Sequence, residues 1–199
     1  MDHGKLIGAA TRTLIDHVDE LTRLDSAIGD GDHGLNMRRG AEAVRAELAQ
    51  LAELPLAQAL QRAGRICVSK VGGSSGPVFG TTLMTLGKTL PERPGPAELA
   101  AALEAAIAAL MRMGKAEVGH KTLLDVLDPV RRILADGGPG LLARVRQGAL
   151  DAAAATADLA AVKGRASFLG ERALGHVDPG SRSMALIVVA LCDALAEHG

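Results

Sequence analysis

"LAAALEAAIAALMRM", residues 99–113, decides the fold class of this chain. Leucine and alanine are the strongest helix formers, and Ile107 is the only β-branched residue in the stretch. Leu99, Ala102, Leu103, Ala106, Ile107 and Leu110 recur at spacings of three and four, which lines them up on one face of a helix. The same rhythm returns in Ile7, Ala10, Leu14, Val18 and Leu21, and again in Met184, Ile187, Val188, Leu191 and Leu195. Extended over the chain, it predicts helices at 3–24, 36–51, 56–70, 77–90, 97–113, 122–135, 139–161 and 180–197, with a short one at 166–174. No period-two pattern competes, so the expected class is all-α: one helical bundle or barrel, a single domain over 1–199. The breaks between helices are short, and "PERPGP" (91–96) reads as a stiff surface turn, not as a linker.

Composition agrees. Of 199 residues 48% are hydrophobic and 23% charged, the balance of a globular chain. There is no Trp or Tyr, and Phe79 and Phe168 are the only aromatics, so the core is built from Leu, Ala, Val, Ile and Met. A net charge of −1 gives no electrostatic reason for a nucleic-acid or anionic-membrane partner. No basic-then-apolar leader is visible, and no apolar run looks long enough to span a bilayer. Cys67 and Cys192 fall in apolar helical patterns, as expected of buried free thiols in a reducing cytoplasm.

The chemistry concentrates elsewhere. "LDSAIGDGDHGLNM" (24–37) packs three aspartates into a glycine-rich break. Asp25 is expected at the end of the first long helix, with Asp30 and Asp32 in the loop, two apart and facing the same way if the backbone is extended. Gly29, Gly31 and Gly34 let the chain fold back so that all three carboxylates converge. Converging carboxylates repel unless a cation neutralises them, and hard oxygen donors without cysteine suit Mg²⁺ shared with a nucleotide's phosphates. The same residues also fit a solvated acidic turn with an Asp N-cap.

"VGGSSGPVFGTTLM" (71–84) places Ser74 and Ser75 before Pro77 at the start of a helix, where free N–H groups and hydroxyls suit a phosphate. It lacks the Gly-Lys-Ser/Thr of a P-loop, and an ordinary close-packed connection explains it equally. In "GHKTLLDVLDPV" (119–130), Thr122 and Asp125 form a candidate capping box. In "KGRASFLGERALGHVDPGSRS" (163–183), Arg165 and Arg172 are spaced two turns apart on one helical face, fit for an anion or for surface ion pairs. His120 and His176 read as loop histidines. No zinc motif, Rossmann fingerprint or nucleophile–base spacing occurs.

"GDGDHGLNM", "GGSSGPVFGT", "KTLLDVLDP" and "GRASFLGERALGHVDPGSRS", in this order, resemble the nucleotide-binding L subunit (DhaL) of dihydroxyacetone kinases. The resemblance implies an eight-helix antiparallel barrel with ADP or ATP and two Mg²⁺ ions in loops at one end. It assigns Asp25, Asp30 and Asp32 to the metal and His33, Gly34, Leu35 and Asn36 to the nucleotide. Ser74 and Ser75 become the phosphate-side loop, Gly114 and Leu123 the walls around the adenine. Arg165 corresponds to the arginine of "GRAS", and Asp178, Pro179 and Gly180 to a closing loop. One departure is His120, where the family usually has aspartate, a change expected to alter local charge or a subunit contact.

The implied activity is phosphoryl transfer to dihydroxyacetone or a related ketose held on a partner K subunit. The nucleotide stays bound, and ADP is rephosphorylated by a phosphohistidine donor subunit (M type) of the phosphotransferase system. Two alternatives remain: an ATP-dependent kinase of another ketose or sugar derivative with exchanging nucleotide, and an ADP-loaded module that signals to a transcriptional regulator. Pairing into a homodimer stays open.

Overall fold

The computed structural model describes residues 2–197; residues 1, 198 and 199, the ends of the expected 1–199 domain, lie outside them. Ten α-helices are present among the described residues. They are α1 (His3–Asp16), α2 (Val18–Ile28), α3 (His33–Ala46), α4 (Leu48–Glu53), α5 (Leu56–Lys70), α6 (Ser75–Thr89), α7 (Pro96–Gly114), α8 (Leu124–Asp136), α9 (Leu141–Ala155) and α10 (Pro179–Ala196). Two 3-10 segments, Thr156–Asp158 and Arg165–Ala173, lie between α9 and α10.

The count departs from eight because two expected rods are each interrupted at one residue. The 3–24 helix breaks at His17, whose ring Nδ1 lies 2.8 Å from the Thr13 carbonyl oxygen and competes with the helix ladder. The 36–51 helix starts earlier, at His33, and breaks at Glu47. Joined across these breaks, the helices make eight rods. Successive rods pack side by side, and α10 returns against α1, so the ring closes. Short connections force neighbours antiparallel. The ends of α2, α5, α7 and α9 and the starts of α3, α6, α8 and α10 therefore meet at one end of the barrel.

Alanine lets these rods approach closely. Ala102 and Ala106 of α7 are almost fully buried beside Ile107 and Leu110, as the opening stretch predicts. Leu21, Leu51, Val126 and Leu127 anchor the same core, each worth about 1.5–3 kcal/mol by burial. In the 91–96 turn, Glu92 reaches across to accept the Leu56 N–H at 3.0 Å and so caps α5. Cys67 and Cys192 are free and buried, and burial pushes both thiols up to about 11.

Three expectations are corrected. The 139–161 helix ends at Ala155, because Thr156 turns its hydroxyl onto the Ala153 carbonyl oxygen at 2.6 Å and starts a 3-10 turn. The 166–174 helix is 3-10 and breaks at Gly170 (φ 56°), so Arg165 and Arg172 do not share an α-helical face. An apolar run long enough for a membrane does exist by length and composition: α10, Pro179–Ala196. Half of it is buried, and it packs against α1 and α9 as a core helix.

Candidate functional site

The acidic break lies where α2 hands over to α3. Asp25, in the last turn of α2, is buried, and its Oδ2 accepts the His33 N–H at 3.1 Å. A carboxylate from the preceding helix thus satisfies the first N–H of α3, while Asp32 at the N-cap makes no side-chain cap bond. Asp30 and Asp32 are left exposed. The backbone between them is not extended: Gly31 takes φ +75°, which glycine adopts without cost, and reverses the chain. One carboxylate oxygen from each of Asp25, Asp30 and Asp32 then lies within 4.8 Å of the others. This all-carboxylate donor set fits a hard divalent cation such as Mg²⁺. Arg165, from the 3-10 segment, reaches over the cluster with Nη1 2.8 Å from Asp30 Oδ2.

His33 organises what surrounds the aspartates. Its ring is buried, with Nδ1 3.1 Å from Ser75 Oγ and Nε2 3.1 Å from Ser183 Oγ. Ser183 donates its own proton to the Gly180 carbonyl oxygen at 2.9 Å, so Ser183 Oγ accepts from Nε2–H and Nδ1 accepts from Ser75. Burial holds the ring below its ordinary value of 6.5, against the opposing pull of Asp25 and Asp32, in keeping with a neutral imidazole. One side chain therefore ties the N-termini of α3, α6 and α10 together beside the carboxylates. All three N-termini bring positive dipole ends here, and that of α6 has no side-chain cap, so its first N–H groups are the donors available to a phosphate.

The other expected residues lie at the same end of the barrel. Gly34 is buried against α2, Leu35 is 45% exposed, and Asn36 is buried with Oδ1 accepting from Arg39 Nη2. Helix α6 begins two residues earlier than expected, which makes Ser74 its exposed N-cap and Ser75 its first residue. Gly114 ends α7 at an exposed position, and Leu123, the N-cap residue of α8, is buried in the core at the same end of the barrel. Thr122 is not the N-cap, but half the capping box forms: Asp125 Oδ2 accepts the Thr122 N–H at 2.7 Å. His120 Nδ1 accepts the Glu117 N–H at 3.0 Å, an acceptor role that aspartate would also fill. Pro179 and Gly180 form the first turn of α10.

Asp178 caps α10, with Oδ2 accepting from Ser181 N–H at 2.6 Å and Ser181 Oγ at 2.9 Å. Burial pushes its carboxyl up to about 6, against the lowering by those bonds and by Lys121. A folded value raised from 3.8 means stability that is present below about 4 and is lost as pH rises through about 6. Asp178→Asn keeps a good N-cap and lacks this titration. Wild-type melting temperature should therefore fall relative to Asp178→Asn between pH 4 and 7; parallel profiles would refute the assignment.

Sequence reasoning missed Ser183, Thr156 and Lys121. Ser183 meets His33 from 150 residues away, and the Lys121 ammonium finds its two carbonyl acceptors 35 and 55 residues along the chain.

Residues 27–193 match the DAK2 domain model. The ADP-binding subunit DhaL of PEP-dependent dihydroxyacetone kinase 1 from Listeria innocua is 41% identical over 172 residues, covering 86% of this chain and 84% of that protein. The D-erythrulose kinase of Mycolicibacterium smegmatis is 38% identical over 96% of this chain, which spans only 35% of that kinase. The crystal structure of the dihydroxyacetone kinase from C. freundii with AMP-PNP and Mg²⁺ superposes with a TM-score of 0.75 at 28% identity, over 98% of this chain and 33% of that one. With the all-helical ring, the acidic loop and the sequence likeness in agreement, the chain belongs to the DAK2-domain family, in its DhaL branch.

Proposed function

We propose that this chain is the nucleotide-holding subunit of a dihydroxyacetone kinase. In this reading it carries ADP or ATP with two Mg²⁺ ions and passes a phosphoryl group to dihydroxyacetone, or a related ketose, on a partner K subunit. ADP is recharged by a phosphohistidine donor subunit of M type, in the cytoplasm. The observation that carries it is the convergence of three carboxylates within 4.8 Å beside the joined N-termini of α3, α6 and α10. The Listeria relative, an ADP-binding subunit of a PEP-dependent kinase, supports this form over a freely exchanging one.

Asp25, Asp30 and Asp32 would hold the cations, which would supply neutralisation of phosphate charge. Asp25, pinned by the His33 N–H, fixes the depth of the cluster. Ser74, Ser75 and the first N–H groups of α6 would take the phosphates, and Arg165 would meet charge on the transferred group. Gly114, exposed and without a side chain, would leave room beside it for a flat base. No side chain here need act as a nucleophile, since phosphoryl transfer asks for alignment and charge neutralisation.

The missing Trp and Tyr make the test simple: bound purine dominates the near-ultraviolet spectrum of the pure protein. Stoichiometric ADP, released on denaturation and lost after EDTA, is the expected result. Protein that comes bare but takes up Mg·ATP reversibly would favour the ATP-dependent alternative, which the erythrulose-kinase relative supports. Protein that binds neither overturns the nucleotide reading.

A further inference from the structure

We propose that Lys121 is a positioning residue: it clamps the neck of the 157–177 excursion to the loop before α8, and so keeps Arg165 and the closing loop over the aspartates. The inference rests on the nucleotide reading only for its effect on retention; the clamp itself stands on geometry.

Lys121 is 1% exposed, an exceptional burial for a lysine, and its backbone sits at φ 59°, in the left-handed region that side chains rarely adopt. A buried ammonium is tolerated only when it is hydrogen-bonded. Nζ donates to two carbonyl oxygens, Thr156 and His176, each at 2.6 Å. These acceptors are the two ends of the excursion between α9 and α10, so one cation closes its neck. Thr156 is the C-cap residue of α9, where unpaired carbonyls favour a positive charge.

Other bonds mark the same neck. Gly175 N–H donates to the Ala157 carbonyl oxygen at 2.9 Å, and Asp178 N–H to Thr156 Oγ1 at 3.0 Å. Val162 N–H reaches the His120 carbonyl oxygen at 3.4 Å, beside Lys121 itself. Beyond the neck the excursion has a small core of its own, Ala166 and Ala173 against Ile28, separate from the main one. From it Arg165 extends to Asp30. The segment is thus held at two places, its packing on Ile28 of α2 and the neck, and the neck is the one that Lys121 closes. Burial lowers the Lys121 pKa while Asp178 and Asp158 raise it, which places the ammonium among carboxylates of the same neck.

Lys163, Arg165 and Arg172 give trypsin three sites within the excursion. Lys121→Met, nearly isosteric but without a donor, is expected to keep its helical circular dichroism. Tryptic cleavage at those bonds in nucleotide-free protein should rise at least about tenfold, and ADP release should accelerate by a similar factor. Lys121→Arg, which keeps a charged donor, should recover most of the protection. If Lys121→Met does not fold, Lys121→Gln, whose shorter amide has two N–H donors but no charge, takes its place, with a smaller rise expected in the same readouts. Wild-type cleavage rates in the folded variant overturn the clamp. Faster cleavage with unchanged ADP release overturns its role in retention. Faster cleavage in a protein whose wild type binds no nucleotide leaves the clamp standing and removes the functional reading instead.

Discussion

Asp30→Asn and Asp32→Asn should each lower Mg²⁺-dependent ADP affinity by at least about a hundredfold while leaving the helical fold intact; changing even an outer partner of a metal site costs about 10–100-fold. Both side chains are exposed, and neither makes a hydrogen bond that holds the backbone. Asp30 loses its ion pair with Arg165, but exposed pairs are worth only about 0–1 kcal/mol, so melting of the nucleotide-free protein should barely change. Asp25→Asn is the poorer probe, because the buried Asp25 carboxylate also accepts the His33 N–H. The measurement is calorimetric ADP titration with and without Mg²⁺, beside thermal melts of the bare proteins. Undiminished affinity in both variants would remove the aspartates from the metal site. Reduced affinity with a collapsed fold would show that they serve structure first.

The aspartates were legible in sequence because their geometry is local. Eight positions separate Asp25 from His33, and a glycine-rich turn between two helices leaves the carboxylates few places to go. Even so, the extended backbone expected between Asp30 and Asp32 was wrong, since only the left-handed Gly31 reveals the reversal. The bundle was legible for a similar reason: apolar spacing reports which face of each rod is buried, and 56–70 was placed to the residue. Periodicity does not report breaks made by side chains. His17 and Thr156 each turn onto the carbonyl of a preceding residue and change the helix where the pattern runs on. Nor can spacing find long-range partners. Ser183 and His33 meet only once α10 closes the ring, and Lys121 is told apart from other lysines only by the two carbonyls it finds.

Gly34→Ala should be among the most destabilising single-methyl additions in this chain. A Cβ there would run into Thr22 Oγ1 and the Val18 carbonyl oxygen and come within 2.8 Å of the Thr22 backbone nitrogen. Two of these atoms belong to the α2 backbone and cannot swing aside, so α2 and α3 must separate. The crossing is already tight enough that Thr22 Oγ1 is buried without a hydrogen-bond partner. Overpacking of this kind costs about 3 kcal/mol, which in a chain of this size lowers the melting temperature by roughly 6–12 °C. Separation of the helices also shifts the His33 N–H away from Asp25, so ADP binding should weaken along with stability. Gly114→Ala is the matched control: its added Cβ meets only Ala116 Cβ, at 3.9 Å, so melting should change little. If Gly114 does form the wall for the base, the control should weaken ADP binding while its melt stays close to wild type. Melting both nucleotide-free variants and titrating each with Mg·ADP separates the two effects. A Gly34→Ala protein as stable as the control would show that α2 and α3 do not pack as closely as their backbones indicate, and the carboxylate cluster that this crossing positions would have to be held some other way.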